Sequence, residues 1–170
     1  MNELFLLRHG IAADPATSGV PDEARPLTEK GIKRMRQIAR GLRSLELELD
    51  AIITSPLVRA RETAEIVAEV LGPSVRVETS KVLATGSGPA AIERWIGGRA
   101  EARLLLVGHN PTLSDLVSRL VLGAGSSPIC DLKKGGMAAL ERIAGSPGLY
   151  ELTWLAPPRL LRRLGAGEDD

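Results

Sequence analysis

Short apolar runs alternate along the chain with longer segments of helical period, the pattern of a parallel sheet covered by helices on both faces. Leu4 to Leu7, Ala51 to Thr54, Val75 to Glu78 and Leu104 to Val107 have strand length and turn signals at their ends. Met137 to Ile143 and Leu149 to Leu155 flank Ala144-Gly145-Ser146-Pro147-Gly148, a spacing that predicts a hairpin. The expected fold class is therefore α/β, a three-layer α/β/α arrangement around a mostly parallel sheet of about six strands.

The helices can be read with their caps. Ile32, Met35, Ile38, Ala39, Leu42 and Leu45 share one helical face, and Thr28 ahead of them suits an N-cap. Ser55-Pro56 reads as the opening of a second helix, with serine at the cap and proline at the first helical position. Ala60, Thr63, Ala64, Val67 and Leu71 form its inner stripe, and Gly72-Pro73 ends it. Further helices are predicted over Pro89 to Ile96 and from Asn110-Pro111 onward, where Leu113, Leu116, Val117 and Leu120 face inward. Gly10 to Pro26 reads as a long loop of the kind that forms lids or binding segments, and Gly123 to Pro128 as a second loop. One domain is expected over residues 1–158, followed after Pro157-Pro158 by a solvent-exposed tail, 159–170.

At 170 residues such a domain buries a core without disulfides or metals. Basic and acidic residues number 22 and 21, so the net charge of +1 gives no bulk attraction for a polyanion. No nucleic-acid partner is expected. The four aromatics, Phe5, Trp95, Tyr150 and Trp154, fall in predicted strands or helices rather than on a stacking surface. Cys130 is the single cysteine, and no stretch gathers the ligands of a zinc site, so neither a metal nor another cofactor is expected. No apolar run reaches the length of a membrane span, and the start lacks a signal peptide's basic and apolar regions. A cytoplasmic protein without a membrane partner is the expectation.

The chain has two histidines, and each follows an apolar strand: Leu7-Arg8-His9-Gly10 and Val107-Gly108-His109-Asn110-Pro111. A third strand ends at Ser55, which puts Arg59 in the first turn of the next helix. Parallel α/β sheets bind ligands outside the carboxyl ends of their strands, so the three clusters are expected to converge there. Burying basic groups together without an anion is unfavourable, and a phosphoryl group fits what these side chains offer. Arginine grips phosphate oxygens with two parallel donors and keeps its charge. A helix opening at Asn110 would add backbone donors. A neutral imidazole can attack phosphorus while arginines neutralise the equatorial oxygens, with no metal required.

These motifs resemble those of the histidine phosphatase superfamily, the phosphoglycerate mutase-like fold: Arg8-His9-Gly10 near the N-terminus, Ser55-Pro56-Leu57-Val58-Arg59-Ala60, and Gly108-His109-Asn110-Pro111. The resemblance implies that His9 is the phosphorylated nucleophile, that Arg8 and Arg59 bind the phosphoryl group, and that His109 completes the pocket, with Asn110 beside it. Within the superfamily, Arg25-Pro26-Leu27-Thr28-Glu29-Lys30-Gly31 is similar to a stretch of the short bacterial phosphohistidine phosphatases, which adds Arg25 as a phosphate ligand. The implied partner is a phosphorylated protein, a histidine phosphotransfer domain, or otherwise a small phosphorylated metabolite. A phosphate or sulfate anion should bind in the same pocket.

The choice of substrate turns on an absence. Mutases and many ester phosphatases of the superfamily carry an acid after the third strand, whereas no carboxylate occurs here between Glu78 and Glu93. An alkoxide needs a general acid worth ~10² to 10⁴ in rate, while a phosphohistidine P–N bond breaks with less help. Asp14, Asp22 or Glu23 of the long loop could supply the acid instead, which keeps an ester phosphatase or mutase as the second reading. A non-catalytic phosphate-binding regulatory module is the reading from another class.

Overall fold

The computed structural model describes residues 2–146 and 148–167. Strands β1 (Glu3–Arg8), β2 (Ala51–Thr54), β3 (Arg76–Thr79) and β4 (Arg103–Gly108) run parallel. With β5 (Met137–Arg142) and β6 (Tyr150–Ala156) they form a six-stranded sheet ordered β3-β2-β4-β1-β5-β6. The predicted hairpin is present, since β5 pairs antiparallel with both β1 and β6; Pro147 in its connection lies outside the described residues. The helices are α1 (Glu29–Ser44), α2 (Val58–Leu71), α3 (Pro89–Gly97), α4 (Thr112–Leu122) and α5 (Pro158–Leu164).

The central strands are apolar on both faces because both faces are covered. Phe5, Leu7, Ile52, Leu105 and Val107 point to one side and pack with Met35, Ile38 and Leu42 of α1, Ala60, Ala64 and Val67 of α2, and Leu161 of α5. Leu4, Leu6, Ile53, Leu104 and Leu106 point to the other and meet Ile92 and Ile96 of α3 and Leu113, Leu116 and Val117 of α4. Each fully buried leucine contributes about 1.5–3 kcal/mol of transfer free energy, so β1 and β4 anchor the sheet. The chain leaves β1 for a helix on one face and β4 for a helix on the other. Between these neighbouring strands lies the crevice that a change of winding direction creates.

Four local expectations are corrected. Helix α2 begins at Val58, not at Pro56, because Leu57 has an extended backbone and stands as its N-cap. Helix α4 begins at Thr112, two residues later than expected, with Pro111 at its N-cap. Leu45 caps α1 and is exposed, while Met35, Ile38, Ala39 and Leu42 are buried as the stripe predicts. The segment after Pro157 is helix α5 rather than an exposed tail, and its Leu161 is fully buried against α1. Glycine makes that approach possible: a Cβ on Gly41 would lie 2.1 Å from the Leu161 carbonyl oxygen. Residues 168–170 of the tail lie outside the described residues.

Candidate active site

Strand register brings the histidines together. Arg8 is paired with Gly108 across β1 and β4, so His9 and His109 leave the sheet side by side, and the His9 N–H donates to the Gly108 carbonyl at 3.1 Å. Their ring centroids are 5.0 Å apart and both residues are 6% exposed. Thr54 is paired with Val107, which sets Ser55 beside His109. Arg59, in the first turn of α2, is 3% exposed, and its charge acts on both imidazoles, as does that of Arg8.

Both histidines are held neutral. Burial pushes the His9 pKa down to about 3, against a raising hydrogen bond to Gly10 and with help from the charges of His109, Arg59 and Arg8. Burial also lowers His109, to about 4, aided by Arg59. The His9 Nδ1 lies 2.7 Å from the Gly10 carbonyl. Because a carbonyl only accepts, Nδ1 carries the proton and Nε2 keeps its lone pair. Nε2 makes no hydrogen bond among the described residues.

The second imidazole is oriented by Ser55. His109 Nε2 is 2.8 Å from Ser55 Oγ, which already accepts the Leu57 N–H at 3.3 Å. When the Ser55 hydroxyl donates to Nε2, the proton of the neutral ring is on Nδ1. That Nδ1 is buried without a partner, as are Arg8 Nε and Arg59 Nε. Buried donors without acceptors are rare in folded proteins, and the oxygens of an anion would satisfy all three.

The long loop folds back over this cluster. Its base is closed by an isolated bridge between Ala12 and Leu27 and by the Ala13 N–H to Pro26 carbonyl bond of 2.9 Å. In the 3-10 turn Asp22–Ala24, the Asp22 carboxylate accepts from Arg59 at 3.0 Å and from Arg25 at 2.9 and 2.5 Å, while the Asp22 carbonyl accepts a further Arg59 N–H at 2.6 Å. Arg25 also bonds the Ala13 carbonyl. Hydrogen bonds from Arg25 above all, then from Arg59, hold the Asp22 carboxyl below its usual pKa, so in this arrangement it is an ionised partner of two guanidiniums.

Of the residues expected from the sequence, His9, His109, Arg8 and Arg59 surround one crevice, and Arg25 reaches it through Asp22. Asn110 is placed differently from expectation. Its amide nitrogen donates to Asp131 at 2.9 Å and to the Leu132 carbonyl at 3.0 Å, the same carbonyl that Arg8 bonds at 2.8 Å. Asn110 thus braces the loop beside Arg8, and no helix opens at its own backbone. Three further residues have roles that their sequence context does not announce: Ser55, which reads as a helix cap; Asp22, which reads as an acid; and Thr63, which reads as part of an apolar stripe. The Thr63 hydroxyl accepts the Gly10 N–H at 3.0 Å and donates to the Arg59 carbonyl at 2.7 Å, joining the His9 loop to the helix that carries Arg59. A fully buried threonine amid alanine and valine was the available signal.

Comparison with known proteins agrees with this architecture. An uncharacterised protein of Picosynechococcus is 41% identical over 165 residues, covering 94% of this chain and 98% of that one. The phosphohistidine phosphatase SixA of Escherichia coli is 29% identical over 124 residues, 71% of this chain and 75% of that protein. A solved structure of the protein histidine phosphatase SixA complexed with tungstate superposes with a TM-score of 0.79 at 25% identity, over 92% of this chain and 97% of that one. Residues 4–84 match the sequence model of the histidine phosphatase superfamily (branch 1), and this segment contains His9, Arg25 and Arg59 in the crevice just described. With that match, these relatives and the shared fold, the chain belongs to the histidine phosphatase superfamily.

Proposed function

We propose that this protein is a phosphatase that removes phosphoryl groups from protein phosphohistidine by way of a phospho-His9 intermediate. The observation that carries the reading is the neutral His9 ring, with Nδ1–H fixed on Gly10 and Nε2 free, beside His109, Arg8 and Arg59. Nε2 attacks phosphorus in line with the leaving nitrogen, and the P–N bond to the substrate imidazole breaks. Arg8, Arg59 and the Nδ1–H of His109 stabilise the equatorial oxygens. The phosphorylated His9 ring becomes cationic, and the Gly10 carbonyl stabilises its Nδ1–H. Water then attacks phosphorus, and His9 leaves as the neutral imidazole from which it started.

Two features support a phosphoramidate over an alkyl ester. The substrate's imidazole departs neutral when its other ring nitrogen is protonated, so the enzyme need not supply an acid. Nothing between Glu78 and Glu93 offers a carboxylate, and before substrate enters Asp22 is held ionised by Arg25 and Arg59. Asp22 also neutralises Arg59 where an oxygen of the substrate would later sit, so its displacement accompanies binding. Turnover of a phosphohistidine protein, phosphoramidate, phosphoglycerates and sugar phosphates under one set of conditions tests the choice. Phosphohistidine and phosphoramidate should exceed the alkyl esters by about 10² or more in kcat/KM, the value of a missing general acid. A preference for phosphoglycerates or sugar phosphates rejects it.

A further inference from the structure

The charges of this chain are distributed unevenly. Helix α1 carries six basic residues against Glu29, and α5 carries three with no acid, a net +8 on two helices packed against each other. The whole chain is +1, so the remainder is net −7. Elsewhere arginines are neutralised locally: Arg76 and Arg99 bind Glu101 and Glu78, Arg103 binds Glu48 and Asp50, and Arg119 binds Glu93. No ion pair is formed among the described residues by Lys30, Arg34, Lys134, Arg159 or Arg162.

Topology sets these five at the rim of the active site. Helix α1 opens directly after the loop that covers Arg59, at the end of the sheet where β1 delivers His9. Strand β6 runs in the same sense as β1, being antiparallel to β5, so α5 also starts at that end. Lys134 precedes Gly135, whose N–H donates to the Arg8 carbonyl at 2.9 Å. Arg34, Lys134 and Arg162 line one shallow hollow with Gly10, the residue next to His9.

We propose that this basic rim is the docking surface for an acidic protein face bearing the phosphohistidine, an inference that rests on the phosphatase reading above. A small phosphorylated metabolite would be engulfed by the crevice and would gain little from unpaired cations outside it. Nucleic acid is disfavoured because Phe5, Trp95, Tyr150 and Trp154 all belong to other elements, which leaves the rim without a stacking platform. Electrostatic complementarity of this kind raises association rates and selects partners, and salt screens it over about 8 Å at physiological ionic strength.

The test compares two helical peptides with the same central phosphohistidine, one flanked by glutamates and the other by glutamines, with phosphoramidate as a substrate too small to reach the rim. At low salt the acidic peptide should be hydrolysed with a kcat/KM about 10-fold higher, through KM, and the advantage should vanish near 0.5 M salt. The triple variant Arg34→Glu, Lys134→Glu and Arg159→Glu should abolish that advantage while hydrolysing phosphoramidate at the wild-type rate. The corresponding glutamine variants, gentler on the fold, should give an intermediate loss. Equal turnover of the two peptides by the wild type overturns the docking surface and leaves the chemistry standing. Failure to hydrolyse phosphoramidate overturns the phosphatase reading instead; fluorescence anisotropy with the unphosphorylated peptides then judges the surface alone, and equal binding of both rejects it. Equal or tighter binding of RNA or anionic vesicles at the same charge concentration rejects it as well.

Discussion

Acidification should destabilise this protein through the same two imidazoles that are proposed to do its chemistry. In the unfolded chain a histidine titrates near 6.5, whereas burial lowers His9 to about 3 and His109 to about 4 in the folded state. Below the unfolded value the unfolded chain binds protons that the folded protein refuses, so the contribution is complete above pH 6.5 and declines as pH falls toward the folded pKa. At pH 4.5, some two units below the unfolded value, each histidine has forfeited about 2.5 kcal/mol. That is a substantial part of the 5–15 kcal/mol typical of a domain. Urea denaturation followed by circular dichroism at pH 7.5 and 4.5 measures it, in buffers free of phosphate and sulfate because an anion bound to the folded state would stabilise it. Carboxylates such as Asp22 and Asp50, whose pKa values are lowered, lose their contribution only below this interval, as pH falls through the carboxylate range, and that loss persists in variants. The comparison is therefore with His9→Gln, which should lose about 2.5 kcal/mol less than the wild type over this interval. Equal losses in the two proteins would refute the buried neutral state of His9.

Arg59→Ala should lower kcat/KM by about 10² to 10³ while leaving the circular dichroism spectrum unchanged, as removal of one transition-state donor does elsewhere; activity within a few-fold of wild type would exclude Arg59 from the phosphoryl site. Asp22→Asn removes a carboxylate that competes for Arg25 and Arg59, so inhibition by inorganic phosphate should tighten about 10-fold, with weaker inhibition as the contrary result. Thr63→Val deletes the link between Gly10 and the Arg59 carbonyl and should reduce kcat about 5- to 20-fold, the size of one or two hydrogen bonds, with KM little changed; Thr63→Ser should restore it.

Much of this organisation was legible because it rests on local pattern. Leu4 to Leu7 and Leu104 to Val107 are apolar at every position, which only a strand covered on both faces allows, and equal placement of His9 and His109 after them implied adjacency once the strands paired. What escaped depends on contacts between distant segments. Ser55 has the chemistry of a cap, and only the neighbouring strand reveals that its hydroxyl serves His109. Asp22 reaches Arg59 because the loop doubles back through the Ala12 to Leu27 bridge, which no periodicity announces. Helix α5 is too short and too basic to read as a core element, and its burial follows from the close approach that Gly41 permits.

The phosphoryl group itself is the most direct witness to the mechanism. Mixing the protein with labelled phosphoramidate, quenching within milliseconds and mapping the label should reveal a phosphate on His9 that is stable to base and lost in acid, forming and decaying at rates that account for turnover. Label that forms to the same extent in His9→Ala, or full turnover with no labelled protein at any time, would contradict a histidine nucleophile.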